Sequence, residues 1–208
     1  SSVDFSAYDT DSNGKLSVAE LQVIFMVAGG ESATGLNSPG GVWAMASSMY
    51  CDANGDGNVS NDSGELFMTL DNVNLLDSDY YGQNGYSQFG ERQGSSSTDT
   101  WDATMGIIAH ELGHAYFRLP DLYDTSKVGA GIGNFGLMGT GNWGLKSRYE
   151  QQGETPVHLS AWSKEKIGAC VPQTVASGTN SIALPAVYQS STHAASCRIY
   201  KATTSTSG

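Results

Sequence analysis

The sequence lacks any cluster of basic residues, and this absence argues against two classes of partner. Among 208 residues there are 10 Lys and Arg against 21 Asp and Glu, so the formal net charge is −11. Proteins that bind a nucleic-acid backbone or an anionic membrane surface concentrate positive charge, which this chain does not. The composition therefore predicts no nucleic-acid partner and favours bound cations.

Long apolar runs are also missing from the sequence. No window approaches the ~18 consecutive apolar residues that a membrane-spanning helix requires, so we expect no membrane span. The first residue is Ser, and the amino terminus lacks the charged and apolar regions of a signal peptide, which suggests a piece excised from a longer precursor. The length predicts a single domain, residues 1–208, that folds without help from a metal, and we expect a monomer.

Cysteine is scarce as well. Cys51, Cys170 and Cys197 are the three cysteines, and none belongs to the Cys-x-x-Cys pair of a thiolate metal site. Cys170 and Cys197 each flank a short apolar run, so these runs are candidates for neighbouring strands joined by a disulfide. The alternative is three buried thiols in a reducing compartment, which the odd Cys51 fits equally well. The cysteines thus favour secretion only weakly.

What the chain does contain is "HELGH", in which His110 and His114 flank Glu111 at the H-E-x-x-H spacing. Four residues advance a helix by about 400°, so both imidazoles project from one face, as two ligands of one ion must. Neutral imidazoles with an open coordination position favour zinc, and Glu111 is placed beside the ion as the catalytic acid/base. The alternative is two ordinary helical histidines beside an exposed Glu.

The flanking residues predict that this motif lies on a helix. Asp99 or Thr100 can cap it, and Pro120 is expected to end it. From Trp101 onward, apolar residues recur at the spacing of a buried helical stripe, namely Met105, Ile108, Leu112 and Ala115. In this interpretation the stripe anchors the helix in a core while the histidines line a cleft.

The amino-terminal segment "DTDSNGKLSVAE" matches the EF-hand calcium loop, with Gly14 at its sharp turn. The predicted ligands are Asp9, Asp11, Asn13, the carbonyl of Lys15, Ser17 and Glu20. The apolar run that follows, "LQVIFMVAG", is helix-like. The alternative is a solvated turn, since Asp, Asn, Ser and Gly form turns without an ion.

A second copy of this loop begins at residue 52, and its predicted ligands are Asp52, Asn54, Asp56, Asn58 and Ser60. Ser63 occupies the twelfth position, where a bidentate Glu is expected, so Asp62 or Glu65 would have to replace it. A plain turn is again the alternative. Together the two loops place the predicted calcium binding within residues 1–66.

Four stretches carry a resemblance to a known family. They are "IFMVAGGE" at 24–31, "HELGHAYFRLPDLYD" at 110–124, "GNFGLMGTGNWG" at 133–144 and "PVHLSAWSKEKIG" at 156–168. In this order they resemble the secreted bacterial zinc peptidases of the immune inhibitor A family. The resemblance implies that His110 and His114 bind zinc, that Glu111 is the catalytic acid/base, and that Met138 forms a Met-turn beneath the metal. The alternative for Met138 is simple core packing.

The sequence departs from the pattern of Met-turn zinc peptidases at the third zinc ligand. In those enzymes the third ligand lies six residues after the second histidine and three after a Gly, but here these positions hold Pro120 and Phe117. Asp121 is the first choice, because the chain turns at Pro120 and a carboxylate one residue further on can reach back to the ion. The alternatives are Asp124, Glu150, Glu154 and a Glu from beyond residue 208.

Taken together, the sequence predicts a mixed α+β, zincin-like metallopeptidase domain, with a twisted sheet packed on the active-site helix and EF-hand-like calcium loops. The predicted function is a secreted, bacterial-type zinc endopeptidase that hydrolyses internal peptide bonds of extracellular proteins with metal-activated water. Zinc is expected to be catalytic and calcium structural. The alternative is a non-catalytic calcium-binding interaction module on a degenerate peptidase scaffold, which the departure at the third ligand favours.

Overall fold

The computed structural model describes residues 3–36, 41–47, 69–75 and 86–171, and the backbone of 173–175 and 200–202. The predicted second calcium loop (Asp52, Asn54, Asp56, Asn58, Ser60) and Cys197 lie outside the described residues. The described helices and strands are β1 Val23–Gly30, β2 Met45–Ser47, β3 Thr69–Leu70, β4 Val73–Asn74, β5 Tyr86–Ser96, β6 Asp99–Asp102, α1 Met105–Ala115, α2 Ala161–Lys166, β7 Gln173–Val175 and β8 Tyr200–Ala202. The predicted mixed α+β class is confirmed.

The chain forms two compact units, Ser1–Val157 and His158–Gly208. The first contains β1 to β6 and α1, and the second contains α2 and the parallel pair of β7 and β8, in which Gln173 lies opposite Tyr200. In the described part of the chain, no helix combines the length and the apolar character needed to cross a membrane. The single domain spanning residues 1–208 stays a prediction.

Strand β5 lies at the centre of the main sheet. β1 pairs with it in parallel, and β2 and β6 pair with it in antiparallel fashion. The helix-like interpretation of the segment that forms β1 is therefore wrong. Its β-branched residues, Val23, Ile24 and Val27, fit a pleated strand better than a helix, and β5 supplies the hydrogen-bond partners that make the strand stable.

Helix α1 begins later than the sequence predicted. Asp99 and Thr100 do not cap it, because they belong to β6 and pair with Ser96 and Gly94 of β5. The helix starts at Met105 and ends at Ala115, five residues before Pro120. Thr100 and Trp101 are of residue types that favour strands. Pairing with the long strand β5 therefore outweighs the weak tendency of Asp99 and Thr100 to cap a helix.

The buried side of α1 is also rotated from the predicted stripe. Met105 is 62% exposed, and the prediction that it is buried is wrong. Ile107, one residue before Ile108 of the predicted stripe, packs with Ala44 and Phe89 in the core between helix and sheet. Burying a side chain as large as that of Ile107 or Phe89 stabilises the fold by roughly 1.5–3 kcal/mol. The reason for the rotation is that the histidine face of the helix points inward and not to the solvent.

A second hydrophobic cluster anchors the amino-terminal segment. Leu16 is fully buried and packs with Val73 and Leu75. The Leu16 N–H donates to the Asn74 carbonyl, and the Asn74 N–H donates to the Gly14 carbonyl, both at 2.9 Å. The predicted calcium loop is thereby fixed to β4 at its midpoint.

Candidate metal centre and active-site cleft

His110, His114 and Asp121 bring three ligand atoms together in the first unit. Each imidazole Nε2 lies 3.1 Å from Asp121 Oδ1, and the two Nε2 atoms lie 3.1 Å apart. A tetrahedral zinc site with bonds of ~2.0–2.1 Å has ligand atoms about 3.3–3.4 Å apart. The triangle matches that spacing within a few tenths of an ångström, so the three residues fit one zinc ion.

The protonation of the two imidazoles follows from their other nitrogens. His110 Nδ1 lies 2.9 Å from the Leu137 carbonyl oxygen, and His114 Nδ1 lies 2.5 Å from that of Leu119. A carbonyl oxygen only accepts, so in each neutral ring Nδ1 carries the proton and Nε2 carries a lone pair. With both rings neutral, two lone pairs and a carboxylate oxygen face one another, which is the donor set that one shared zinc ion would take.

The chain reverses direction directly after α1, and this reversal brings Asp121 to the histidines. Arg118 adopts a left-handed conformation with φ 55°, and its N–H donates to the His114 carbonyl. The buried Leu119 then donates its N–H to the Gly113 carbonyl at 3.0 Å. These two hydrogen bonds hold the segment after the helix against the last turn of α1. They thereby bring Asp121 back towards His114.

Tyr123 is a partner of Asp121 that the sequence analysis missed. Its hydroxyl hydrogen-bonds Asp121, and burial together with this bond raises the pKa of Tyr123 to about 12. Its ring is stacked near that of His110, with centroids 6.3 Å apart and planes inclined by 20°. A hydroxyl in this position restricts the orientation of the carboxylate. The only signal in the sequence is its place two residues after Asp121.

Glu111 lies beside the three candidate ligands and lines a cleft of about 280 Å³. The residue is 5% exposed. Burial raises the pKa of Glu111 to about 7, although His110 and His114 act in the opposite direction. A carboxyl group with these properties can both take up and release a proton near neutral pH.

Met138 packs directly beneath the helix that carries the histidines. It is fully buried, and a Cβ atom added at Gly113 would lie 2.4 Å from its sulfur, so only glycine allows this approach. The Met138 carbonyl accepts from the Leu122 N–H at 2.7 Å. The loop after the helix is therefore tied to the turn that contains Met138. Its role as a Met-turn stays a prediction.

Glu31 is a buried carboxylate that the sequence analysis did not single out. Its Oε1 accepts from the N–H groups of Ala33 and Ala44, and its Oε2 accepts from the N–H of Gly90, each at 3.0 Å. Ala33 and Ala44 line the same cleft as Glu111. Glu31 thus holds one wall of the cleft to β5. In the sequence it ends the first of the four resembling stretches.

The other carboxylates considered for the third ligand do not join this group among the described residues. Asp124 instead closes a turn, since its oxygens accept from the N–H groups of Ser126 and Val128 at 2.9 and 3.0 Å. Glu150 accepts from the Lys146 N–H at 2.6 Å. Both carboxylates therefore accept hydrogen bonds from backbone N–H groups of nearby residues, which is a common role of acidic residues in turns.

The amino-terminal loop forms a second group of potential ligands. Oxygens of Asp9, Asp11 and Glu20 lie within 4.8 Å of one another. The carboxylate of Asp9 accepts from the N–H groups of Asn13 and Gly14 at 3.0 and 2.9 Å. Gly14 has a φ of +78°, which is the backbone conformation that the predicted sharp turn requires.

Glu20 closes this loop from its far end. One of its oxygens accepts from the Thr10 N–H at 2.9 Å, and the other accepts from the Ser17 N–H at 3.0 Å. These hydrogen bonds lower the pKa of Glu20 to about 2, and the bond from the Ser17 N–H has the largest effect. The limited burial of Glu20 opposes the change. The loop therefore holds its shape through its own N–H groups.

In the second unit, Cys170 is disulfide-bonded. The other two cysteines of the chain lie outside the described residues, so the pairing with Cys197 stays a prediction. The register of the parallel strands supports it: Gln173 is opposite Tyr200, and each cysteine precedes its strand by three residues.

A buried H-E-x-x-H helix with a carboxylate at the same point is the arrangement of a metallopeptidase. Comparison with known families agrees: the model of the immune inhibitor A peptidase M6 catalytic domain matches residues 3–171. The chain belongs to this family, and the resemblance inferred from the four stretches is confirmed. Searches of curated proteins and of solved structures gave no match.

Proposed function

We propose that the chain is a secreted zinc endopeptidase whose single catalytic domain, residues 1–208, acts as a monomer on internal peptide bonds of extracellular proteins. His110, His114 and Asp121 would hold the zinc ion, and Glu111 would be the acid/base. The family match supports a metallopeptidase function. The observation that carries the proposal is the triangle of ligand atoms with 3.1 Å sides, next to a buried carboxyl group.

Bound zinc would supply a Lewis acid that lowers the pKa of water and polarises the scissile carbonyl. The protein's own part is positioning and proton transfer. The Leu137 and Leu119 carbonyls hold the two imidazoles in the ligand tautomer. Glu111 accepts the proton of the attacking water and returns it to the leaving amine. Met138 supports the helix from below, in the position expected of a Met-turn residue.

Calcium would have a structural role in the amino-terminal loops. The spacing of Asp9, Asp11 and Glu20 supports a site in the first loop, completed by Asn13, Ser17 and the Lys15 carbonyl. The second loop, beginning at residue 52, is proposed on its sequence alone. Secretion is supported by the disulfide at Cys170, because disulfides persist in oxidising compartments.

The alternative, a non-catalytic calcium-binding module, is not favoured. The family match is to a peptidase catalytic domain. The departure at the third ligand is the feature that favours a degenerate scaffold, and the 3.1 Å distances from Asp121 Oδ1 to both imidazoles support Asp121 as that ligand. No other observation supports the alternative.

The test is the cleavage of casein by the wild-type chain and by Glu111→Ala, with bound zinc measured in both. Glu91→Ala is the matched control, because Glu91 is an exposed carboxylate on β5. We expect the wild type and Glu91→Ala to cleave casein, and Glu111→Ala to keep its zinc but lose ~10²–10⁴-fold in rate. Full activity of Glu111→Ala would contradict the acid/base role. Absence of zinc from the wild type would contradict the metal site.

A further inference from the structure

Asn142 is a polar residue of the cleft to which the proposed mechanism gives no role. It lies in the 3₁₀ turn Thr140–Trp143 and is 4% exposed. The cleft that it lines also borders His110 and Glu111. Its backbone is pressed against α1, since a Cβ atom added at Gly106 would lie 1.8 Å from the Asn142 carbonyl oxygen. The backbone of Asn142 is therefore held next to the catalytic helix.

The side-chain oxygen of Asn142 has no hydrogen-bond donor among the described residues, although it is buried. Leaving a buried polar atom unpaired costs folding free energy, so such atoms are rare unless a function retains them. Three other described side chains have an unpaired buried atom, namely Gln22, Ser87 and Gln93, and none of them lines this cleft. Among the described residues, Asn142 alone combines an unpaired buried atom with a place in the cleft that Glu111 lines.

We propose that the Asn142 amide binds a peptide group of the substrate backbone, next to the bond that is cleaved. This inference rests on the proposed peptidase function. A peptide lying in the cleft offers both N–H donors and carbonyl acceptors. The Asn amide carries both functions, and rotation about its terminal bond can turn either end to the cleft. Every substrate sequence carries the same backbone peptide groups, so a contact to the backbone would help to align many sequences.

Thr140 provides a matched control on the same wall of the cleft. Its hydroxyl is already paired, because it donates to Asn134 Oδ1 at 2.7 Å. Thr140→Val therefore alters a polar residue that lines the cleft without removing an unpaired group. The test variant is Asn142→Leu, which replaces the amide by an apolar group of similar size. Because the lost oxygen was unpaired, we expect Asn142→Leu to melt no lower than the wild type.

The experiment uses a peptide that spans a casein bond cleaved by the wild-type chain. A series of analogues replaces one peptide bond at a time, other than the cleaved one, by an ester. An ester lacks the N–H donor and has a weaker carbonyl acceptor. We expect one ester to lower kcat/KM of the wild type by ~10–100-fold. In Asn142→Leu the all-amide peptide should show a similar loss, and that ester should cost nothing further.

We expect the ester and Thr140→Val to lower kcat/KM independently, so that their penalties multiply. Penalties that also multiply at every position in Asn142→Leu would overturn the inference while leaving the peptidase function intact. Failure of the zinc-loaded wild type to cleave any peptide would overturn both. If Asn142→Leu does not fold, Asn142→Ala replaces it in the same series. Its melting temperature and zinc content then separate a binding defect from a structural one.

Discussion

The chain contains two groups of potential metal ligands, and they are built in opposite ways. The His110, His114 and Asp121 group is largely buried, and its three ligand atoms lie 3.1 Å from one another. The Asp9, Asp11 and Glu20 group is more exposed, and backbone N–H groups of the same loop already donate to its carboxylates. The first group presents its ligand atoms to a single point, whereas the second is already held together by hydrogen bonds within its own loop.

This difference indicates how strongly activity and stability should depend on the ion at each site. In the helix site, the bonds to Nδ1 of each ring and the reversal at Arg118 fix the ligands, so an ion would bind to groups that the fold has already positioned. In the loop, an ion would add to an existing hydrogen-bond network. We therefore expect zinc to be bound tightly and to be required for activity, and calcium to act as a graded stabiliser.

The largest expected effect separates the two aspartates that follow the helix. Asp121→Asn should weaken zinc binding by more than ~100-fold, since the loss of a mere partner of a ligand costs 10–100-fold. Asp124→Asn, which removes a turn carboxylate, should leave zinc binding unchanged. Competition with a zinc chelator measures both affinities. Equal affinities for the two variants would remove Asp121 from the site and the basis of the comparison.

The next effect concerns calcium in the amino-terminal loop. Free calcium at about 100 times its dissociation constant should stabilise the wild type by ~2.7 kcal/mol, or roughly 5–10 °C in melting temperature. The shift should be smaller in Glu20→Gln, where only the second predicted loop remains, and unchanged in Glu165→Gln, which alters an exposed carboxylate of α2. If the first loop does not bind calcium, all three proteins should instead show the same shift in melting temperature.

A smaller effect is expected from the hydroxyl that orients Asp121. Tyr123→Phe should weaken zinc binding by ~10–100-fold, because the bond to a ligand carboxylate is lost while the ring remains. Tyr116→Phe is the matched control, since Tyr116 follows the same helix and is 42% exposed. Competition with a zinc chelator measures the zinc affinity of both variants. An unchanged affinity of Tyr123→Phe would mean that the fold alone holds Asp121.

The smallest effect is the pH dependence of the loop. The pKa of Glu20 is lowered from 4.5 to about 2 in the folded chain, so its stabilising effect is complete above pH 4.5 and is lost as the pH falls towards 2. Without calcium, the free energy of unfolding of the wild type should therefore fall more steeply than that of Glu20→Gln across this window. Parallel curves in urea titrations at several pH values would show that Glu20 does not cap the loop.

Local spacing was sufficient to predict part of the site. The four-residue step from His110 to His114 places both rings on one helical face, and Pro120 marks the reversal that returns Asp121. The third ligand was nevertheless one of several choices in the sequence. Only the folded chain shows that Asp124 is already bonded to its own turn.

Other features depend on contacts between distant segments, and no local pattern reports them. The segment Val23–Gly30 has an apolar pattern that resembles a helix until the pairing with β5 selects a strand. Met105 was predicted to be buried because the inward face of α1 was assumed to be purely apolar. Glu31 acquires its role from β5, and Asn142 from α1, each of which lies more than 25 residues away in the chain.

The bonds from the two imidazoles to the Leu119 and Leu137 carbonyls have a consequence for how the sequence can diverge. Both acceptors are main-chain atoms, so no single side-chain replacement deletes them. The proton on each ring is set by the route of the polypeptide, and side chains at positions 119 and 137 can change if that route is preserved. Mutational scanning should therefore find positions 119 and 137 tolerant of apolar residues of similar size, next to histidines that tolerate no replacement.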